Sequence, residues 1–326
     1  MAAAGYGVYF GGGFSITGNQ GPNREDLLDI IYNIDPSDTP LFVRSPKTVA
    51  KHVFHEWLQD ALQATSSAYY ADEGADYSFS TASQTSRTRV GNWTMIFRKD
   101  INSSQTQRAV DPAGVQDEYA YQVMKGLKEL ARSIEASSFI VAAATATAST
   151  GPRVMKDLAT FITTNTASVV NGASASTVSE TIFNDMLQNI FDDGGNPDSV
   201  YVGAYAKRQI SSYTTNTTVA RNIALADKRL INSVDLYESD FGIIQIVLDR
   251  WVPNGGTATA SASGTGRAFF IETPMVRHAF LRPIKHVPLP PNGDAARGIV
   301  LGELTLEVGH EKALGMLTGI RGIATV

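Results

Sequence analysis

The stretch DEYAYQVMKGLKELARSIEASSFIVAAA, residues 117–144, carries the longest helical pattern in the sequence. Its apolar side chains recur at steps of three and four, as one stripe of an amphipathic helix requires: Ala120, Val123, Leu127, Leu130, Ile134 and Val141. The charged residues lie off this stripe, and we interpret them as a solvated face: Lys125, Lys128, Glu129, Arg132 and Glu135. At ~1.5 Å per residue such a helix is about 42 Å long, well beyond the three turns usual in globular proteins. The stretch therefore predicts a long structural helix.

The region before this helix alternates between its two faces with the period of a β-strand. Val53, His55 and Trp57 fall on one face, with residues 54, 56 and 58 on the other, and the alternation returns at residues 91–97. About thirty mostly polar residues separate these strands, which is too many for an ordinary hairpin turn. We therefore predict a long projecting hairpin, preceded by an arm rich in Gly and then in Pro.

After the long helix, helical and strand patterns follow one another. Thr177 and Glu180 have the spacing of a capping box, and a double apolar row then runs to a stop at Gly194 and Pro197. Residues 243–247 and 298–308 have strand patterns, and a low-complexity loop, 254–267, lies between them. The order of elements predicts an α+β fold.

Composition excludes several classes of protein. The 326 residues include 27 basic and 32 acidic side chains, a net charge of -5, which is not the footprint of a chain that grips nucleic acid phosphates. The absence of cysteine rules out disulfides, thiolate nucleophiles and cysteine-ligated metals. No apolar stretch is long enough to span a bilayer, and the first residues lack the pattern of a signal peptide.

The histidines are the first candidates for catalysis. In KHVFHEWLQDALQ, residues 51–63, alternation puts His52 and Glu56 on the face opposite His55, so the three cannot hold one metal ion. GHEKALG, residues 309–315, lacks the second histidine of a zinc-protease helix. A metal-dependent hydrolase using His55 or His310 stays the enzymatic alternative, and we expect neither catalysis nor a cofactor.

Two further kinds of functional site, a calcium site and a serine nucleophile, have little support in the sequence. Asp192, Asp193 and Asp198 could hold calcium, but their spacing is not that of an EF-hand and fits the end of a helix better. No Gly-x-Ser-x-Gly motif occurs in the sequence. Neither feature predicts an active site.

Several stretches, in order along the chain, resemble the major capsid proteins of tailed bacteriophages, which have the Hong Kong 97-type fold. They are IYNIDPSDTPLF (31–42), EWLQDAL (56–62), DEYAYQVMKGLKELARSIEA (117–136), GGNPDSVYVGAYAKRQISSY (194–213), DLYESDFGIIQIVLDRWVP (235–253), LRPIKHVPL (281–289) and GELTLEVGHEKALG (302–315). The resemblance implies four parts: an N-terminal arm (1–49), an extended loop with its linker (50–105), a peripheral domain (106–180 plus 267–326) with spine helix 117–144, and an axial domain (181–266).

The same resemblance implies a function. Such proteins assemble into hexamers and pentamers that form an icosahedral head enclosing the phage genome. The implied partners are other copies of the chain, scaffolding and portal proteins, and double-stranded DNA bound without sequence specificity; the implied location is the virion, after assembly in the host cytoplasm. Because no lysine lies between Lys51 and Lys99, we expect no isopeptide crosslink from the loop tip, so overlap between subunits or a cement protein supplies stability. An encapsulin-like nanocompartment of the same fold is the alternative.

The hairpin supplies the candidate contacts between subunits: Glu56, Trp57, Asp60, Asp72, Glu73, Asp76, Arg87, Arg89, Trp93 and Phe97. We expect the acidic residues of the outgoing strand and the arginines of the returning strand to form ion pairs across the subunit boundary, which set register more than affinity. An isolated hairpin has too little core to bury its own apolar face. We therefore expect Trp57, Trp93, Met95 and Phe97 to be buried only by a neighbouring subunit.

Overall fold

The computed structural model describes residues 35–62, 70, 73–74, 76, 86–110, 114–115, 117–140, 152–169, 178–213, 234–254, 264–291 and 293–320. The helices are α1 (Pro40–Arg44), α2 (Gln105–Ala109), α3 (Glu118–Phe139), α4 (Leu158–Phe161), α5 (Glu180–Asp192) and α6 (Ala204–Ser211), with 3₁₀ turns at Thr273–Met275 and Glu311–Ala313. The strands are β1 (Lys47–Val49), β2 (Phe54–Gln59), β3 (Thr88–Trp93), β4 (Met95–Ser104), β5 (Thr166–Ser168), β6 (Ser199–Val202), β7 (Leu236–Ser239), β8 (Gly242–Leu248), β9 (Gly264–Ile271), β10 (Val276–Leu289), β11 (Ala295–Val308) and β12 (Gly315–Gly319).

The strands of the described residues form three sheets. A four-stranded sheet has the order β1-β10-β11-β4, a six-stranded sheet has the order β5-β12-β9-β6-β8-β7, and β2 pairs only with β3 within the described ranges. The α+β class that the sequence predicts is confirmed. Strands β5 and β12 complete the six-stranded sheet from outside residues 181–266, so this sheet extends beyond the predicted axial segment; the domain boundaries stay a prediction.

Two apolar clusters make the core. The larger lies between α3, the four-stranded sheet and one face of the six-stranded sheet, where Leu130, Ile134 and Phe269 are buried. The smaller lies under α5 and α6, against the other face of the six-stranded sheet. No helix in the described residues is both long and apolar enough to cross a membrane.

The long helix forms where its pattern predicts but ends earlier. Asp117 caps it by accepting a hydrogen bond of 3.0 Å from Tyr119 N, and the last helical residue is Phe139 rather than Ala144. Phe139 is fully buried against Tyr201 and Phe269 of the six-stranded sheet, and the chain leaves the helical conformation at the next residue. The predicted remainder, from residue 141, lies outside the described residues. The packing of Phe139 on the sheet therefore determines where α3 ends, and the periodicity of the sequence does not predict this contact.

Two details of the helical predictions are wrong. The periodicity places Glu135 on the solvated face of the long helix, yet its side chain is buried, because it accepts hydrogen bonds from the first backbone N–H groups of α1. Helix α5 is capped by Ser179, whose hydroxyl accepts from Ile182 N at 3.3 Å, so Glu180 is the first helical residue and not the third. Thr177 lies outside the described residues. The predicted stop at Gly194 is confirmed, with φ at 91°.

Candidate functional site

The hairpin that is predicted to contact other subunits is attached to the rest of its own chain at its base. Strands β2 and β3 pair in an antiparallel register from Phe54↔Trp93 to Gln59↔Thr88. At Thr94 the returning strand leaves the hairpin, and β4 then pairs with β11. The hairpin is thus a branch from the four-stranded sheet, and the residues at this branch decide its direction.

Backbone and amide contacts tie β3 to β11. Thr305 Oγ1 donates to Trp93 O at 2.9 Å, and Asn92 Nδ2 donates to Leu306 O at 2.8 Å. The Asn92 side chain is fully buried, and its Oδ1 accepts from Lys156 N at 2.8 Å. Because the Asn92 amide is buried and its polar atoms are hydrogen-bonded, a shift of β3 would leave one of these atoms without a partner and without water. The amide therefore fixes the position of β3 on β11.

A carboxylate of β11 lies beneath the branch point. Glu303 is almost completely buried, and it accepts from Thr94 Oγ1 at 2.8 Å. Two guanidinium groups neutralise it: Arg153 Nη2 and Arg282 Nε each lie 2.7 Å from its oxygens. Charge-assisted bonds of this length are what make a buried carboxylate tolerable. Glu303 therefore links the hairpin, β10 and the segment after α3.

A second carboxylate of β11 holds the outgoing strand. Glu307 Oε2 lies 3.1 Å from His55 Nε2, accepts from Thr48 Oγ1 at 3.1 Å, and Glu307 Oε1 is 3.5 Å from Arg277. Gln59 Nε2 extends this attachment by donating to Gly309 O at 2.9 Å. His55 thus belongs to an anchor between strands.

The metal-ligand candidates have other partners. His52 Nδ1 accepts from Phe54 N, and His310 Nδ1 accepts from Lys312 N, both at 3.2 Å. Among the possible calcium ligands, Asp193 pairs with Lys312 and Asp198 accepts from Thr273. Across the described part of the chain no three His, Asp or Glu side chains converge on a possible ion site.

The inward face of the hairpin base is covered by its own chain. Trp57 packs on the larger core with its ring 6.0 Å from that of Phe161, Met95 packs there as well, and Phe97 is buried. The prediction that these side chains are buried only by another subunit is therefore wrong for the base. The cause is the branch at Thr94, which lays β2 and β3 over the core.

The outward face is different. Phe54 and Trp93 contact each other with ring centroids 4.8 Å apart, over Gly91, where a Cβ would come within 2.7 Å of the Phe54 ring. Leu58 lies on the same face, with Glu56 between it and Phe54, and its side chain is largely exposed. The outward face of β2 and β3 thus carries both apolar and charged side chains, and Leu58 is the apolar one that the described residues leave exposed.

The predicted charged contacts fall into three groups. Arg89 lies 3.7 Å from Glu56 and Arg87 lies 3.2 Å from Asp60, and both are exposed pairs within one chain. Glu73 and Asp76 are exposed, whereas residue 72 lies outside the described residues. A role of these residues between subunits stays a prediction.

Sequence reasoning missed the carboxylates that hold the hairpin. Glu303 and Glu307 alternate with Leu304 and Leu306, a pattern typical of a strand with one solvated face. Both faces of β11 are in fact covered, one by the core and the other by the hairpin base and its polar partners. The arginines of β10, the strand that pairs with β11, are the feature of the sequence that could have indicated buried ion pairs.

Solved structures share this fold over nearly the whole chain. The capsid of a native GTA particle matches with a TM-score of 0.61 at 10% identity, covering 92% of this chain and 96% of that one. A structure from Mycobacterium phage Ogopogo matches with 0.58 at 14% identity, covering 91% and 96%. The holo-SrpI encapsulin complex from Synechococcus elongatus PCC 7942 matches with 0.57 at 11% identity, covering 92% of each chain. These likenesses show the fold, and the Hong Kong 97-type fold that the sequence predicts is confirmed.

The family follows from sequence. The family model described as SU10 major capsid protein matches residues 12–321, and the chain belongs to this family. It is a major capsid protein of a bacteriophage, a structural component of the virion, as the sequence predicts. No curated protein matches the chain.

Proposed function

We propose that copies of this chain form hexamers and pentamers that close an icosahedral head around double-stranded DNA. Membership of a major capsid family supports self-assembly into a shell, and the likeness to assembled capsids supports its geometry. Assembly takes place in the host cytoplasm with separate scaffolding and portal proteins. The net charge of -5 fits an enclosure that does not bind DNA by sequence.

The outward face of the hairpin is the contact with the neighbouring subunit in this proposal. The observation that supports it is three exposed apolar side chains of the hairpin: Leu58 of β2 at 62%, and beyond that strand Leu62 at 99% and Tyr70 at 83%. Burying one leucine stabilises an interface by about 1.5–3 kcal/mol, and a shell repeats each contact many times. Trp93 and Phe54 extend the same surface at the base.

Polar residues of the hairpin give this contact its register. Glu56, Asp60, Arg87 and Arg89 are exposed enough to exchange their present partners for those of another subunit. Trp57 and Phe97 contribute from beneath, by holding the base rigid against the core. Noncovalent overlap of this kind, with or without a cement protein, stabilises the shell without a crosslink from the loop.

Electron microscopy of the purified full-length protein tests the proposal. We expect closed shells from the wild type and from Leu58→Met, which keeps an apolar side chain, and folded but unassembled subunits from Leu58→Glu. Closed shells from Leu58→Glu at the wild-type yield would contradict the assigned contact, and a wild type that stays monomeric under every condition of scaffolding and salt would contradict the function. Expression with portal and packaging proteins separates a phage head from a nanocompartment, because only a head protects DNA from nuclease.

A further inference from the structure

Charged side chains form hydrogen bonds with the backbone at both ends of the short helix α1. Glu135 of α3 accepts hydrogen bonds from the first backbone N–H groups of this helix, with Oε1 2.7 Å from Leu41 N and Oε2 2.7 Å from Phe42 N. At the other end Lys47 Nζ donates to Phe42 O and, at 2.8 Å, to Ser45 O. The described N-terminal segment, residues 35–49, is therefore fastened to the long helix by a buried carboxyl group.

The same carboxyl group faces a second one. Glu135 and Asp249 are 0% and 1% exposed, and their carboxyl groups lie close enough to hydrogen-bond each other when one of them carries a proton. Asp249 Oδ1 accepts from Trp251 N at 2.8 Å, but Oδ2 has no N–H or hydroxyl donor among the described residues. Two carboxyl groups can hydrogen-bond only if one of them carries a proton, and two carboxylates this close in a dry site repel strongly. The orphaned Oδ2 is explained by a proton shared within the pair.

Three segments meet at this pair. Glu135 belongs to α3, Asp249 directly follows strand β8 of the six-stranded sheet, and the turn after Asp249 reaches the N-terminal segment. In that turn Trp251 Nε1 donates to Asp38 O at 3.0 Å, and Arg250 lies 3.6 Å from the Asp38 carboxylate. Loss of contact between the two carboxyl groups would therefore also affect how Asp38 and α1 are held.

Burial is the main reason that the proton stays. It raises the pKa of Glu135 to about 9, and the nearby Asp249 adds to the effect, while the N–H groups of Leu41 and Phe42 oppose it. Burial also raises the pKa of Asp249, although the hydrogen bond from Glu135 opposes that shift. Both directions follow from the cost of a charge, and still more of a second negative charge, at a position buried from solvent.

The other charged and titratable groups around the pair come from every element packed on it: Asp38, Arg44, Lys47, Arg132, Tyr201, Arg250 and His278. Burial raises the pKa of Tyr201 to about 12 and lowers the pKa of His278 to about 3, so both are neutral near pH 7. Burial lowers the pKa of Lys47, an effect that Glu135 opposes. Asp38 and Arg250 compensate each other at the surface.

We propose that the proton shared by Glu135 and Asp249 holds the long helix, the end of β8 and the N-terminal segment together, and that this three-way joint loosens when the proton is lost. All these groups belong to one chain. The joint therefore does not depend on how subunits assemble, and its test is independent of the proposed shell. The joint is strongest in acid and is lost as the pH rises. A carboxyl group whose pKa is raised on folding contributes fully below its ordinary value of 4.5 and no longer contributes above about 9.

Hydrogen exchange of the purified full-length protein measures the joint directly. Between pH 5 and 9 the opening constant of peptides 38–46 and 249–253, corrected for intrinsic exchange, should rise by up to about tenfold per pH unit, as the loss of one proton requires. Peptide 300–308 of β11 should not change. A wild-type joint whose opening constant is the same at pH 5 and pH 9 overturns the proposal.

Two variants separate the shared proton from general electrostatics. In Asp249→Asn the amide donates to an ionised Glu135, so no proton is needed and the rise with pH should disappear. Asp38→Asn is the matched control, because it removes an exposed carboxylate near the pair and should keep the wild-type rise. A rise in Asp249→Asn equal to that of the wild type would overturn the proposal.

A second measurement keeps the proposal testable if Asp249→Asn fails to fold. Infrared spectra of the wild type at pH 7 should contain the C=O stretch of a buried protonated carboxylic acid, and this band should be missing in Glu135→Gln. Its absence from the wild type would show that the pair holds no proton at neutral pH, which overturns the proposal.

Discussion

Thr94 Oγ1 donates a hydrogen bond of 2.8 Å to Glu303 Oε1 at the point where the hairpin leaves the four-stranded sheet. The hydroxyl group belongs to the one residue between β3 and β4, and the carboxylate belongs to the middle of β11. Because Glu303 also binds Arg153 and Arg282, the direction of the hairpin is tied to three separate segments of the chain. The direction in which β2 and β3 leave the sheet is therefore fixed within one subunit, as the proposed contact with a neighbouring subunit requires.

The first prediction concerns this carboxylate. Glu303→Ala should destabilise the subunit by about 1–3 kcal/mol, because it leaves the buried hydroxyl of Thr94 without its acceptor, while the half-exposed guanidinium groups of Arg153 and Arg282 can turn to water. The free energy of unfolding from urea denaturation of unassembled subunits measures the effect. Glu56→Ala is the control and should cost less than about 1 kcal/mol, since its ion pair with Arg89 is exposed. Equal losses in the two variants would contradict the anchoring role of Glu303.

The second prediction concerns the aromatic pair on the outward face. Gly91→Ala should displace Phe54, because the added Cβ would lie 2.7 Å from its ring, and overpacking of this kind costs about 1–3 kcal/mol. We expect a lower yield of shells with little change in far-ultraviolet circular dichroism. Phe54→Leu should restore the yield in the double variant, since the shorter side chain leaves room for the methyl group. Full assembly of Gly91→Ala alone would show that the position of Phe54 does not matter.

The third prediction separates contacts within a chain from contacts between chains. Exchanging the partners, as Arg89→Glu with Glu56→Arg, preserves the pair within the hairpin but reverses the charges shown to a neighbour. We expect the exchange to restore subunit stability relative to Arg89→Glu, by less than about 1 kcal/mol, but not the rate of assembly at low salt. Light scattering during assembly at two salt concentrations measures this. Complete rescue of assembly would assign these residues to the hairpin alone.

The fourth prediction concerns His278, which lies in the core between Ser45 and Ser138. Burial lowers its pKa to about 3, and the positive charge of Lys47 adds to the shift. A histidine whose pKa falls on folding contributes stability above its ordinary value of 6.5, and this contribution is lost as the pH falls towards 3. The free energy of unfolding should therefore drop by up to about 1.4 kcal/mol per pH unit in that window from this residue alone.

His278→Gln provides the comparison for this acid dependence. It keeps hydrogen-bonding groups near Ser45 and Ser138 but cannot be protonated, so its free energy of unfolding should fall less steeply between pH 6 and 4. Identical slopes for the variant and the wild type would show that other groups cause the acid sensitivity.

The elements with strong periodicity were predictable from sequence. The long helix, the alternation of His55 and Trp57 with Glu56, and the end of α5 at Gly194 each depend on neighbours a few residues away. The exact ends were not predictable, because they depend on distant contacts: Phe139 ends α3 by packing on the six-stranded sheet. The packing of the hairpin base on the core of the same chain was not predictable either, because it depends on the branch at Thr94.

The sequence by itself determined the fold class, the order of helices and strands and the resemblance to phage capsid proteins, since these depend on periodicity and on motifs local in the chain. Only the tertiary structure decided which charged residues are buried. Glu135 meets residues 41 and 42, and Glu303 meets Thr94 and Arg153, at separations of about a hundred residues or more. A carboxylate at the surface and one in the core have the same place in a local pattern; what differs is whether distant donors arrive to compensate the loss of water.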